Sequence, residues 1–153
     1  MAQHNVCDSR VEMTEIVLPN DTNPLGNCMG GRVMHFIDIA AAIAARRFAR
    51  TTCVTAAVDQ INFLRPVPMG SLLVLHGSVN FAGRTSMEIG VRVEIESTES
   101  REREHCASAY LTFVALDENG KPMVVPELVL DSEEDHRRHN EAQERRKHRL
   151  ESR

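Results

Sequence analysis

A carboxylate, Asp38, interrupts the alanine-rich apolar stretch NCMGGRVMHFIDIAAAIAARR at residues 27–47. A charged side chain in apolar surroundings is costly unless something satisfies it. Asp38 is therefore a structural carboxylate bonded to a neighbour, a group exposed at a helix edge, or a general base, which must be ionised and within reach of a water. At the helical period it shares a face with Met34, His35, Ala41, Ala42 and Ala45. The alanines would let a ligand or a second backbone come close. Gly30 and Gly31 stand where the same run begins. The first amides of a helix have no intrahelical acceptor, and the positive helix end attracts an anion or a developing oxyanion. The alternative is that both glycines only permit tight packing against a sheet.

Periodicity predicts a helix from about Gly30 to Arg50, the only strong one in the central region. Before it, VEMTEIVLP alternates like a strand and stops at Pro19, and NDTNPLGN is loop chemistry. After it come VTAAVDQINFL, SLLVLHGSVNF, SMEIGVRVEIES and HCASAYLTFVAL, the last ended by the turn DENGKP. In the third of these, Met87, Ile89, Val91, Val93 and Ile95 face one way. Glu88, Arg92, Glu94 and Glu96 face the other, as in a half-exposed antiparallel strand. A strand, a helix and four further strands joined by short turns predict an α+β domain, one helix packed on an antiparallel sheet.

Three regions follow: a loose polar leader at 1–10, the domain at 11–130, and a charged tail at 131–153. The tail carries seven acidic and seven Lys/Arg residues, which predicts a solvated helix with pairs Glu133–Arg137, Glu134–Arg138 and Glu141–Arg145. His136 and His139 stand at helical spacing, and an exposed polar helix accounts for them without a metal.

Composition excludes several classes. A 42% hydrophobic share is too high for a wholly disordered chain, and no run approaches the length of a spanning helix, so no membrane insertion is expected. The start MAQHNVCDSR lacks the apolar core of a secretory signal. Cys7, Cys28, Cys53 and Cys106 form no CxxC pair, which fits a reducing cytoplasm. A net charge of −4 and 4% aromatic residues leave no basic, base-stacking surface for nucleic acid. There is no phosphate loop, no GxGxxG after a strand, no GxSxG elbow and no zinc-spaced His/Cys set.

The stretches LPNDTNPLGNCMGGRVMHFIDIAAAIAARRFA, VTAAVDQINFLRPVPMG, GRTSMEIGVRVE and FVALDENGKPMVVPEL, in that order, together resemble the cytosolic acyl-CoA thioesterase family of the hot-dog fold. This is the branch of the brain-type acyl-CoA hydrolases and their short bacterial relatives. The most specific element is Asn23, Gly26, Gly30-Gly31 and then Asp38, seven residues beyond the second glycine. The similarity covers residues 11 to about 130 and leaves the charged tail outside.

The resemblance implies one long central helix wrapped by a curved antiparallel sheet. It implies cytoplasmic hydrolysis of acyl-CoA to a free acid and coenzyme A, with no metal and no cofactor beyond the coenzyme A of the substrate. It implies homodimers that share their sites, assembled as a trimer of dimers, with Asn23 of one subunit working beside Asp38 of another. Asp38 would be the base toward water, or alternatively a direct nucleophile. Asn23 would orient the water or the carbonyl, and the Gly30 and Gly31 amides would hold the oxyanion in a dry, shared site. The phosphates of coenzyme A call for cations: Arg84 first, Arg65 second, with Thr85 and Ser86 as hydrogen-bond donors. Met34 and Phe36 are candidates to line the acyl chain, or else plain core. Two other functions compete. A hydratase or dehydratase on acyl thioesters would pair a histidine with a carboxylate, and His35 is the only histidine nearby. A non-catalytic acyl-CoA-binding sensor would need an output surface, and no DNA-binding helix pair is evident.

Overall fold

The described residues, 2–152 of a computed structural model of the chain, form ten helices and strands and one short turn of 3-10 helix. In chain order they are β1 (Gln3–Asn5), α1 (Val6–Ser9), β2 (Val11–Ile16), the 3-10 turn (Pro19–Asp21), α2 (Gly30–Ala49), β3 (Cys53–Phe63), β4 (Leu72–Ala82), β5 (Ser86–Glu96), β6 (Arg103–Ala115), β7 (Glu127–Val129) and α3 (Glu133–Glu151). Five strands make one antiparallel sheet in the order β2–β4–β5–β6–β3. The alternation in β5 decides its inner face: Met87, Ile89, Val91 and Val93 are buried, and their partners Phe113, Leu111, Ala109 and Ala107 on β6 continue the layer.

α2 lies on that inner face because Val33, Ile37, Ala40, Ala44 and Phe48 recur at helical spacing and are all buried. Gly77 in β4 allows the closest approach, since a Cβ there would stand 3.4 Å from the Ala40 carbonyl oxygen. The helix stops at Arg50, whose φ of 60° turns its N–H onto the Arg46 carbonyl at 2.8 Å. This is the central helix and wrapped antiparallel sheet that the resemblance implied.

Residues 3–9 of the expected loose leader are ordered, and Met1 lies outside the described residues. β1 pairs in parallel with β7, and Val6 and Ser9 are buried. The Ser9 hydroxyl donates to the Val6 carbonyl at 2.6 Å and accepts from the Val79 N–H at 3.0 Å. Neither short strand was anticipated, because three residues carry no readable period.

The charged tail forms the expected helix, α3, with Ser132 as its N-cap accepting from the Asp135 N–H at 3.1 Å. It is not solvated all round. Arg145 gives two hydrogen bonds of 2.8 Å to Glu88 on the outer face of β5 and covers the Tyr110 ring at 3.6 Å. Arg149 pairs with Asp59 of β3, and Ala142 is buried. Glu134–Arg138 forms as expected at 3.2 Å. Glu133–Arg137 and Glu141–Arg145 do not: Arg137 turns to Glu134 and Glu141, and Arg145 to Glu88. A carboxylate sheltered from water competes for a guanidinium better than one water already serves. The outer face of β5 is thus closed at Glu88, which is only 2% exposed. Asn80 Nδ2 adds a hydrogen bond of 3.1 Å to the same carboxylate, and it occupies the space beside Gly90, where a Cβ would come within 2.6 Å of that nitrogen.

Arg145→Ala strands this buried carboxylate and should lower the free energy of unfolding by about 3 kcal/mol, as read by urea denaturation. Combining Glu88→Gln with Arg145→Met removes the charge along with its partner and should recover most of the loss.

Candidate active site

Asn23 builds its own turn. Its Oδ1 accepts from the N–H of Leu25 at 3.0 Å and of Asn27 at 3.2 Å, and its carbonyl accepts from the Gly26 N–H at 2.9 Å. Gly26 has a φ of +80°, which a residue with a Cβ adopts only under strain. With the oxygen of Asn23 so engaged, its NH2 group meets no acceptor among the described residues.

Asp21 ties this loop to α2. It is buried, and its Oδ2 accepts from the Leu18 N–H at 2.9 Å while its Oδ1 accepts from Arg32 Nε at 2.7 Å. Its backbone carbonyl accepts from the Met29 N–H at 2.8 Å. The Leu18 amide, helped by Arg32 and opposed by burial, holds the Asp21 carboxyl below its ordinary value of 3.8. Met29 is the N-cap of α2 and offers no side-chain cap. The N–H groups of Gly30 and Gly31 meet no acceptor among the described residues. Packing within the chain does not require these glycines: a Cβ on Gly31 would meet nothing within 4 Å, and one on Gly30 would make an ordinary 3.7 Å contact with the Phe63 ring. Two free donors therefore stand at the positive end of a helix.

Asp38 is exposed in the protomer and accepts a hydrogen bond of 2.7 Å from the Thr55 hydroxyl at Oδ1. A single chain does not enclose it. Met34 and Ile39 on the helix are exposed, as is Val58 on the same face of β3 as Thr55, whereas the exposed Val54 pairs with Val114 on the opposite face. Ala41 and Ala45 turn instead into the core, as does Phe36, which fits its reading as plain core. His35 is exposed and bonds to no carboxylate among the described residues.

The four candidates for coenzyme A divide between two ends of the sheet. Arg84 lies in the β4–β5 hairpin, where the Ala115 N–H donates to the Thr85 carbonyl at 3.0 Å and Ala115 pairs with Cys53 at the start of β3. Arg84 is exposed and has no carboxylate within 4.0 Å among the described residues, and the Ser86 carbonyl accepts from Gly83 at 2.8 Å. Arg65 lies beyond the other end of β3, near Gly30, and is paired with Glu104 at 2.7 Å. No hydrogen bond joins Asn23 to Asp38. Among the described residues no cluster of three or more His, Cys, Asp or Glu could hold a metal, and no helix is long and apolar enough to cross a membrane.

Reading the sequence missed Thr55 and the pair Asp21–Arg32. Thr55 carried no signal, because its partner lies on another element. Asp21 was visible only as loop composition, although a Pro-initiated turn followed by an acid is a common self-capping pattern.

A family model described as the thioesterase superfamily matches residues 25–101. The chain is 42% identical over 138 residues, 90% of its own length and 80% of the relative's, to an uncharacterized acyl-CoA thioester hydrolase of Bacillus subtilis. Its mouse relatives are longer: it spans 38% of the cytosolic acyl coenzyme A thioester hydrolase, at 36% identity. Among solved structures, it is similar to an acyl-CoA hydrolase from Staphylococcus aureus in complex with butyryl coenzyme A, coenzyme A and coenzyme A disulfide, with 33% identity, a TM-score of 0.93 and coverage of 98% and 92% of the two chains. That enzyme has also been solved with an asparagine, an aspartate or a threonine replaced by alanine. A hexameric acyl-CoA thioesterase superposes with a TM-score of 0.95 at 39% identity, covering 99% of this chain and 97% of the other.

The lowered folded-state pKa of Asp21 fixes a sign. Its ionised form contributes fully to stability above about pH 4, and that contribution fades as acid carries the pH down through the folded-state value. Asp21→Asn should therefore be less stable than the parent near pH 7, and the difference should narrow toward pH 3, as measured by urea unfolding across that range.

Proposed function

Because this chain belongs to the thioesterase superfamily and has its hot-dog fold, we propose that it hydrolyses acyl-CoA to a free carboxylic acid and coenzyme A in a site shared by two protomers. One observation carries the shared site. Gly31 and Asp38 stand two turns apart on one helix, a rise of about 10 Å. A thioester carbonyl needs its oxyanion donors about 3 Å from its oxygen and its base about 3 Å from the attacking water. Asp38 also faces out of its own protomer, so we pair the glycine amides of one chain with the Asp38 of another.

β3 supplies the means. It is an edge strand of eleven residues, exposed along most of its length, with Val58 exposed on its inner face and Met34 and Ile39 exposed on α2. A long unpaired edge next to an apolar helix face invites a second copy. Pairing two such edges antiparallel about a two-fold axis would set the Arg84 hairpin of one protomer near the glycine end of its partner. Arg84, with the Thr85 and Ser86 hydroxyls, would there meet the phosphates of coenzyme A, and Arg65 would lie on the same rim. The hexameric relative supports further assembly into a trimer of dimers.

In the proposed reaction Asp38 takes a proton from water as the water attacks the thioester carbon. The carbonyl oxygen becomes an oxyanion between the Gly30 and Gly31 amides, and as it collapses the C–S bond breaks and the sulfur takes the proton from Asp38, leaving as the thiol of coenzyme A. The free NH2 of Asn23 orients the carbonyl or the water. Thr55 holds Asp38 in one rotamer, so little reorganisation is needed. The asparagine, aspartate and threonine replaced in the Staphylococcus aureus enzyme stand in the order and at the spacing of Asn23, Asp38 and Thr55, which supports the choice of these three.

A thiol-release assay across short, medium and long acyl-CoAs tests the reading. Asp38→Asn should lose about a thousandfold in kcat. Asn23→Ala and Asp38→Asn chains, unfolded together and refolded as a one-to-one mixture, should regain about a quarter of wild-type activity, because each mixed dimer rebuilds one intact site. A mixture as inactive as its parents would rule out the shared site, and a wild type that binds acyl-CoA without releasing thiol would rule out the enzyme.

A further inference from the structure

Asp21 puts a buried carboxylate beside the two amides that are to receive an oxyanion. Its backbone carbonyl holds the Met29 N–H at 2.8 Å and its Oδ1 holds Arg32 Nε at 2.7 Å. Gly30 and Gly31 lie between those two anchor points, so Asp21 brackets the glycine pair from both sides. An unbalanced anion there would oppose a second negative charge at the same helix end. Arg32 is the group that balances it, and its guanidinium is steadied over the Phe36 ring at 5.2 Å. Cys28, two residues before Gly30, feels both charges: burial pushes its thiol up first, Asp21 adds to that, and Arg32 offsets it.

We propose that Arg32 is a positioning residue for hydrolysis: it neutralises Asp21 and clamps the Asn23 loop to the start of α2, leaving the Gly30 and Gly31 amides to the oxyanion. This rests on the thioesterase reading above. The substrate carbonyl is neutral when bound and gains its charge only on the way to the tetrahedral intermediate. Losing the counter-charge should therefore slow turnover more than it weakens binding.

The test is thiol-release kinetics with thermal melting on assembled wild type, Arg32→Ala, Arg32→Lys and the double variant Asp21→Asn/Arg32→Ala. Arg32→Ala should lose about ten- to a hundredfold in kcat with KM changed by less than about threefold. Arg32→Lys should recover part of this. The double variant should be faster than Arg32→Ala, since it removes the uncompensated charge and keeps an oxygen for the Leu18 amide. Should Arg32→Ala fail to fold, the kcat of the lysine and double variants against wild type decides the matter. A double variant no faster than Arg32→Ala, or losses that fall equally on kcat and KM and follow the melting temperature, would overturn the inference while leaving the thioesterase reading intact. A wild type that releases no thiol would overturn both.

Discussion

An α-helix is a ruler of fixed pitch, and α2 carries Gly31 and Asp38 two turns apart on it. No side-chain movement brings a backbone amide at one mark to a carboxylate at the other. Sheet, loop and edge can each be read as a response to that spacing. The sheet fixes the roll of α2 by taking Val33, Ile37, Ala40 and Ala44 inward, which turns Asp38 toward β3. The Asp21 turn holds the loop to the first residues of the helix. The outer edge of β3 is left unpaired, and α2 and β3 carry exposed apolar side chains that a solitary domain would not be expected to keep in water.

The backbone was largely legible before any coordinates. α2 begins at the predicted Gly30 and ends one residue short of the predicted Arg50. The four later strands fall within about two residues of their periodic signals. Both elements are long and amphipathic, so burial and local preference agree on them. The N-terminal segment and β7 escaped because their order comes from pairing between residues more than a hundred positions apart, which leaves no local trace.

For the site, the types and spacing of Asn23, Gly30, Gly31 and Asp38 were legible, and their surroundings were not. Asp38 stands among apolar neighbours in sequence yet faces out of the protomer, because the helix face next to a sheet edge is covered only by what lies beyond that edge. The tail misled for a related reason. Its composition is that of a solvated helix, and only the register of β5 against β4 and β6 reveals that Glu88 lies where Arg145 can reach it. Charge patterning within a helix cannot report a carboxylate waiting on another element.

The outer face also limits how this sequence can drift. Glu88 is held by Arg145 and Asn80, and the Asn80 amide fills the space that a side chain at Gly90 would need. Four positions on three elements thus form one interlocked unit. A change at Glu88 or Arg145 strands a charge, and a side chain at Gly90 collides with Asn80 unless that residue shrinks first, so divergent descendants would have to replace the set through coordinated steps. This polar patch is accordingly less free to vary than an ordinary solvated one.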